Sequence, residues 1–148
     1  MIPMRCSNCG LCCEETEMEL SSDDVKRLEE AGYRRGEFAV LDNDVVRLRN
    51  VAGRCYFYNH AEKNCRVYEN RPMGCSLYPV VYLTDQGATV DELCPKSHTI
   101  SEKELRAKGR LLASLLRRMN KERARYPKLL MQVNTEKNQR RQKSQCGK

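Results

Sequence analysis

The chain has 148 residues, with nine cysteines, no Trp and only two Phe, and 32% of its residues are charged. This composition excludes a large apolar core, and no apolar run approaches the roughly 20 residues of a membrane span. Residues 1–99 carry 12 Lys and Arg against 16 Asp and Glu, whereas residues 100–148 carry 15 against 4. The sequence therefore predicts an acidic cysteine-rich body followed by a strongly basic C-terminal third.

The first predicted element is a loop that holds Cys6, Cys9, Cys12 and Cys13, with Gly10 between them. No basic and apolar leader precedes this loop, so we expect no signal peptide and a cytoplasmic protein. Because thiols stay reduced in the cytosol, a metal site is favoured over a disulfide framework.

A helix and a hairpin are predicted next. Ser21 and Asp24 form a capping-box variant, which predicts a helix over residues 22–31. Two β-favouring runs, at 38–41 and 45–49, flank a turn signal and predict a pair of strands.

The segment from 54 to 95 is dense in Tyr, Cys and turn residues. Short extended pieces are predicted at Cys55 and Cys65, and a tight turn is predicted at 70–74, where Pro72 fixes φ. A further strand is predicted at 80–83, before Cys94 and Pro95 close the body.

A second helix is predicted to start at Ser101, which forms a capping box with Glu104. Apolar residues then follow at helical spacing with Arg and Lys on the other face, and Pro127 is expected to end or kink the helix. We predict an α+β fold of three parts: a metal-binding domain at 1–99, a helical segment at 100–134 and a disordered basic tail at 135–148.

The spacing of the cysteines is the sequence feature that indicates a metal site. Two residues between Cys6 and Cys9, and again between Cys9 and Cys12, let one loop aim three sulfurs at a common centre, as in bacterial ferredoxins. Cys13 fits this pattern less well, because adjacent cysteines tend to point apart. Cys146 lies in the tail and is not expected to be a ligand. The candidate metal ligands are Cys6, Cys9, Cys12, Cys13, Cys55, Cys65, Cys75 and Cys94.

Eight cysteines suffice for one four-thiolate centre or for two, and four thiolates suit zinc as well as an iron–sulfur cluster. The spacing alone does not decide between them. The trio Cys6, Cys9 and Cys12, taken together with the resemblance described next, favours an iron–sulfur cluster of the [4Fe–4S] type, with zinc as the alternative.

The motif Cys6-Ser-Asn-Cys9-Gly-Leu-Cys12-Cys13 resembles the signature of the CxxCxxCC family of zinc- or iron-chelating proteins, the YkgJ type. A second signature resembles the stretch from Cys55 to Pro79, which includes Arg71-Pro72-Met-Gly-Cys75, and the similarity covers roughly residues 4–95. Ser76 departs from the family pattern, which usually has Arg there. Flagellin lysine N-methylases, which are longer, resemble the same family and are associated with an iron–sulfur cluster.

Other side chains are weaker candidates. Arg71 could offset cluster charge, pair with Glu69 or simply stabilise a turn. His60 and His98 are expected to be surface imidazoles. Four tyrosines could shield a cluster from water or pack in the core: Tyr56, Tyr58, Tyr68 and Tyr78.

Three functions therefore compete. The first is a metal or cluster protein in electron transfer or sensing. The second is an RNA- or ribosome-associated protein with a structural metal, in which the basic C-terminal segment contacts RNA or an acidic protein. The third is an enzyme of the protein-lysine methylase type. No P-loop, dinucleotide-binding glycine motif or nucleophile elbow is found in the sequence.

Overall fold

We describe the protein from a computed structural model, which describes Cys6 and residues 9–123. In this part of the chain, short antiparallel strand pairs are combined with short helices and a C-terminal helix of 21 residues, which confirms the α+β class. The helices are α1 Ser22–Glu30, α2 Arg35–Phe38, α3 Met73–Leu77 and α4 Glu102–Glu122. The strands are β1 Ala39–Asp42, β2 Val45–Leu48, β3 Asn50–Val51, β4 Arg54–Cys55, β5 Tyr58–Asn59, β6 Asn64–Cys65, β7 Val80–Leu83 and β8 Gly87–Val90.

The strands form four antiparallel pairs: β1 with β2, β3 with β4, β5 with β6 and β7 with β8. The predicted hairpin is confirmed, with Ala39 opposite Leu48 and Asp42 opposite Val45. Asn43 and Asp44 take positive φ angles of 48° and 64° in the two-residue turn. Such angles match the right-handed twist of the strands.

Helix α1 begins as its capping box predicts. The Ser21 hydroxyl accepts from the Asp24 N–H at 3.1 Å, and Asp24 Oδ2 accepts from the Ser21 N–H at 3.0 Å. Val25 and Leu28 turn inward and are almost completely buried. The prediction of this helix is confirmed to within one residue at its C-terminal end.

The predicted tight turn at 70–74 is wrong in part, because helix α3 begins at Met73 directly after Pro72. A proline has a fixed φ and no N–H, so it suits the entry to a helix as well as a turn. The Pro72 carbonyl accepts from the Ser76 N–H at 3.0 Å. This short helix carries Cys75.

Apolar side chains form two buried clusters. The first joins α1, the β1–β2 hairpin and the segment around Phe57. The second joins α3 and β7 to α4 through Leu77, Val80, Leu112 and Leu115. The C-terminal helix is therefore packed onto the cysteine-rich body.

Helix α4 lies close against the β7–β8 pair because Gly109 has no side chain. A Cβ added at Gly109 would stand 2.7 Å from the Ala88 Cβ, which is too close for real carbon atoms. Lys108 is buried beside it, at 5% exposure. Its ammonium lies 2.9 Å from a Glu104 carboxylate oxygen, although the angle does not qualify as a hydrogen bond.

The two ends of α4 are both fixed by polar contacts. The predicted start is confirmed, since the Ser101 hydroxyl accepts from the Glu104 N–H at 3.2 Å. At the other end, the Glu122 carboxylate accepts from the Ser22 N–H at 3.1 Å and from its hydroxyl at 2.7 Å. Pro127 and the tail at 135–148 lie outside the described residues.

Ion pairs also hold the C-terminal end of α4 against the region around the start of α1. Arg118 lies 3.3 Å from Asp23, and Arg123 lies 3.6 Å from Glu19. The basic end of α4 therefore rests on the acidic start of α1. No helix in the part of the chain described is both long and apolar enough to cross a membrane.

Candidate metal centre

The eight candidate cysteines come together around one cavity of about 460 Å³, called the cysteine cavity below. They reach it from five parts of the chain: the N-terminal loop, strand β4, strand β6, helix α3 and the loop after β8. Met18, Phe57 and Val81 are among the apolar side chains that complete the wall. The cysteines that line it are Cys6, Cys9, Cys12, Cys13, Cys55, Cys65, Cys75 and Cys94.

The N-terminal cysteine loop is held by glycine geometry and by one arginine. Gly10, with φ of 76°, starts a 3-10 helix at Leu11–Cys13. A Cβ at Gly10 would lie 2.7 Å from the Arg54 guanidinium and 2.8 Å from the Tyr58 hydroxyl, so only glycine fits. Arg54 also forms an ion pair with Glu14 at 2.7 Å. The loop is thereby fastened to the segment that carries Cys55.

Three cysteines share a local backbone arrangement. In each, the N–H group two residues later in the chain donates to the cysteine sulfur, which stabilises a thiolate. The cysteines are Cys55, Cys65 and Cys94, and the donors are the N–H groups of Phe57, Val67 and Lys96. The last of these bonds measures 3.4 Å from nitrogen to sulfur.

Cys75 is positioned through a buried carboxylate. Asp24 Oδ1 accepts from the Met73 N–H at 2.9 Å and from the Arg27 guanidinium at 2.9 Å. The same Arg27 nitrogen donates to the Arg71 carbonyl at 2.9 Å. Helix α1 therefore fixes the first residue of α3, two residues before Cys75.

The loop that carries Cys94 is fixed by Asp91. One Asp91 carboxylate oxygen accepts from the Tyr78 hydroxyl at 2.8 Å, and the other accepts from the Leu93 N–H at 3.0 Å. The Cys94 N–H in turn donates to the Asp91 carbonyl at 3.3 Å. Burial and this carboxylate raise the pKa of the Tyr78 hydroxyl far above its usual range, so it stays a hydrogen-bond donor.

The thiols favour their neutral forms when no metal is bound. Burial raises the pKa of Cys55 to about 11 and that of Cys75 well above 9.0, and neighbouring thiols add to both shifts. A hydrogen bond with Cys13, followed by burial, raises the pKa of Cys12 strongly. A metal must therefore displace protons from this cavity, and its positive charge is what allows several thiolates to lie together.

Arg71 supplies positive charge at the cavity wall. Its guanidinium carbon lies 4.0 Å from the centre of the Tyr68 ring, and its Nε donates to the Ser76 hydroxyl at 3.4 Å. Burial raises the pKa of Cys65, and Arg71 is among the groups that oppose this rise. No Arg71–Glu69 ion pair forms within the described residues, whereas the bond to Ser76 fits a role in stabilising the turn before α3.

The candidate His and Tyr side chains either lie outside the cavity or line its wall. His60 and His98 are exposed and do not line it, as expected. Tyr68 and Tyr78 line the cavity, whereas Tyr58 packs in the first core cluster.

The eight described thiols surround the cavity but do not converge on a single metal position. Within the described part of the chain, no group of three or more His, Cys, Asp or Glu side chains is already arranged to hold one metal ion. No disulfide links any two of the eight described cysteines. Cys146 lies outside the described residues. Binding of a metal group would thus draw these five parts of the chain inward.

The residues that position the cysteines were not predicted from the sequence. Asp24 was recognised only as part of a helix cap, and its bond to Met73, 49 positions along the chain, carries no local signal. Arg54 and Asp91 lie one and three residues before cysteines, which is the only sequence feature that could have drawn attention to them.

Comparison with known families agrees with this geometry. A family model, CxxCxxCC, described as "Putative zinc- or iron-chelating domain", matches residues 5–102. The chain belongs to the CxxCxxCC family. The match takes in all eight cavity cysteines and ends at the first residue of α4, so nearly all of that helix lies beyond the CxxCxxCC domain. By its family, this domain is one that chelates zinc or iron.

One relative is an uncharacterized protein, MJ0661, of Methanocaldococcus jannaschii, which is 30% identical over 86 residues. The aligned part is 53% of this chain and 45% of the relative, so the chain spans less than half the length of that protein. No solved structure gives a significant match to the chain.

Proposed function

We propose that the cysteine cavity holds an iron–sulfur cluster of the [4Fe–4S] type and that the protein works in electron transfer or redox sensing. The observation that carries this proposal is the size of the cavity together with the number of thiols around it. A single zinc ion with four cysteines is a closed tetrahedron with sulfurs about 2.3 Å from the metal. A space of about 460 Å³ lined by eight cysteines suits a group of several metal and sulfide atoms.

The thiolate ligands would come both from the N-terminal loop and from the later segments that carry cysteines. The Cys6, Cys9 and Cys12 spacing is the one that ferredoxins use for three corners of a cubane. Cys55 and Cys65 receive backbone hydrogen bonds that favour thiolates. A cubane needs four thiolates, so eight cysteines allow one cluster with spectator thiols or two clusters.

The cluster would supply one-electron chemistry, and the surrounding residues would tune it. Arg71 lies against the wall and would offset the negative charge of a thiolate-bound cluster. Cys9 and Cys12 are exposed, so this side of the cavity offers a short path between a bound cluster and a redox partner at the surface. Apolar wall residues such as Phe57 and Val67 would limit access of water.

The experiment is purification of the full chain under anaerobic conditions, with iron, zinc and acid-labile sulfide measured per chain. About four iron and four sulfide, with a brown colour that bleaches in air, support one cluster, and twice these amounts support two. Stoichiometric zinc without sulfide in a colourless protein would replace the cluster with a structural zinc site.

Matched cysteine variants locate the site. Cys9→Ser is expected to abolish cluster binding because Cys9 belongs to the ferredoxin-like trio. Cys146 is far along the sequence from the cavity cysteines, so the Cys146→Ser variant is expected to keep the full metal and sulfide content. Equal metal content in the two variants would contradict the ligand assignment.

A further inference from the structure

Helix α4 carries a narrow stripe of cations on its outer side. At about 100° per residue, five basic positions fall within roughly 60° of one another around the helix. They lie on the opposite side from Leu112, Leu115 and Met119, which are buried against the body. All five are exposed. This basic stripe consists of Lys103, Arg106, Arg110, Arg117 and Lys121.

The acidic residues of α4 do little to neutralise this stripe. Glu104 faces the buried Lys108, and Glu122 is bonded to Ser22 on the body. Glu102 pairs with Arg106 at 3.3 Å, but the two side chains are 87% and 72% exposed, so water screens their attraction. Within the described residues, the other four cations of the stripe form no ion pair.

The dimensions of the stripe suit a phosphate backbone. With a rise of about 1.5 Å per residue, it runs roughly 27 Å along the helix. Its cations lie about 5–6 Å apart, except between Arg110 and Arg117, where the gap is about 10 Å. Duplex nucleic acid presents one phosphate about every 3.4 Å along each strand. Helix α4 has no aromatic residue, so it offers no surface on which unpaired bases could stack.

We propose that the basic stripe of α4 binds the phosphate backbone of double-stranded nucleic acid without reading its sequence. The contact rests on the release of counterions from the phosphates, which favours binding and makes it strongly dependent on salt. The stripe lies on the side of α4 that faces away from the body, so the proposal does not depend on which metal the cavity holds.

The test measures binding of the full chain to a labelled 20-base-pair duplex by fluorescence anisotropy between 50 and 200 mM KCl. The stripe variant carries Arg110→Gln, Arg117→Gln and Lys121→Gln. Gln is a good helix former, and these side chains are exposed, so the helix is retained. The control carries Lys26→Gln, Arg34→Gln and Lys63→Gln, which removes the same charge from exposed positions outside α4.

Each phosphate contact adds about 0.9 to the slope of log affinity against log salt. The stripe variant is expected to reduce this slope by roughly two to three and to lower affinity at least tenfold at 100 mM salt, whereas the control keeps the wild-type slope. Equal losses in the two variants would show that only net charge matters and would overturn the proposal. So would absence of binding at 50 mM salt, or equal binding to poly-glutamate, which would indicate an acidic protein partner.

Discussion

The buried carboxylate of Asp24 offers the sharpest test of how the fold holds its cysteines. Its side chain is 1% exposed and accepts hydrogen bonds from the Ser21 N–H, the Met73 N–H and the Arg27 guanidinium. Asp24→Asn keeps the volume but replaces one accepting oxygen with an NH₂ group. At least one buried donor then loses its partner, and the bond to Arg27 loses its charge assistance.

The magnitude follows from these two losses. An unsatisfied buried donor costs about 1–3 kcal/mol, and a hydrogen bond to a charged group is worth about 1.5–3 kcal/mol. Because Arg27 is partly exposed, the lower part of the second range applies, and the free energy of unfolding should fall by about 3 kcal/mol. For a chain of this size, that lowers the melting temperature by roughly 10 °C.

The matched control is Asp23→Asn, one residue earlier. Asp23 is exposed and pairs with the exposed Arg118 at 3.3 Å, so its loss should cost less than about 1 kcal/mol. Urea and thermal unfolding of both variants under anaerobic conditions give the comparison. Asp24→Asn should also weaken metal binding, since Met73 begins the helix that carries Cys75. Equal stabilities for the two variants would refute the role given to Asp24.

Three further predictions follow from the cavity and from the packing of α4. Removal of metal by a chelator should melt the body and leave α4 only partly helical, because a structural metal contributes roughly 10–16 kcal/mol of apparent binding energy; unchanged melting after chelation would contradict this. Burial raises the pKa of Cys55 from 9.0 to about 11, so a metal bound through this thiolate must displace its proton, and the apparent metal affinity should fall as the pH drops from about 8.5 to about 6.5. Competition with a chelator of known affinity at each pH checks this, and a metal affinity that does not change with pH would contradict it. Gly109→Ala should destabilise the protein despite the better helix propensity of Ala, since its Cβ would meet that of Ala88 at 2.7 Å. Ala88→Gly should rescue that variant, and a stabilised single variant would show that α4 packs differently.

The sequence was sufficient where the structural signal is local. Ser21 and Asp24 form their capping box within four residues, and the β1–β2 hairpin is set by the polar turn between two β-favouring runs. The set of cavity cysteines was also predictable, because three cysteines in a seven-residue loop have no ordinary packing role. Family resemblance then linked this loop to Cys55, Cys65 and Cys75.

What the sequence did not reveal depends on contacts between distant segments. Pro72 fits a turn and a helix start equally well, and the bond from Met73 to Asp24 favours the helix. Strand β8 contains Gly87 and Ala88, which are poor strand formers, and it forms because β7 and α4 pack against it. The burial of Lys108 and Gly109 likewise reflects the close approach of α4 to this pair, which no helical pattern encodes.

The most direct test of the central claim is X-ray absorption at the iron edge on anaerobically purified full-length protein. A [4Fe–4S] cluster in the cysteine cavity predicts iron–sulfur scattering together with clear iron–iron scattering. Both should be retained in Cys146→Ser and lost in Cys9→Ser. A protein that contains no iron, and whose zinc edge shows four sulfurs at about 2.3 Å and no metal–metal scattering, would contradict the account.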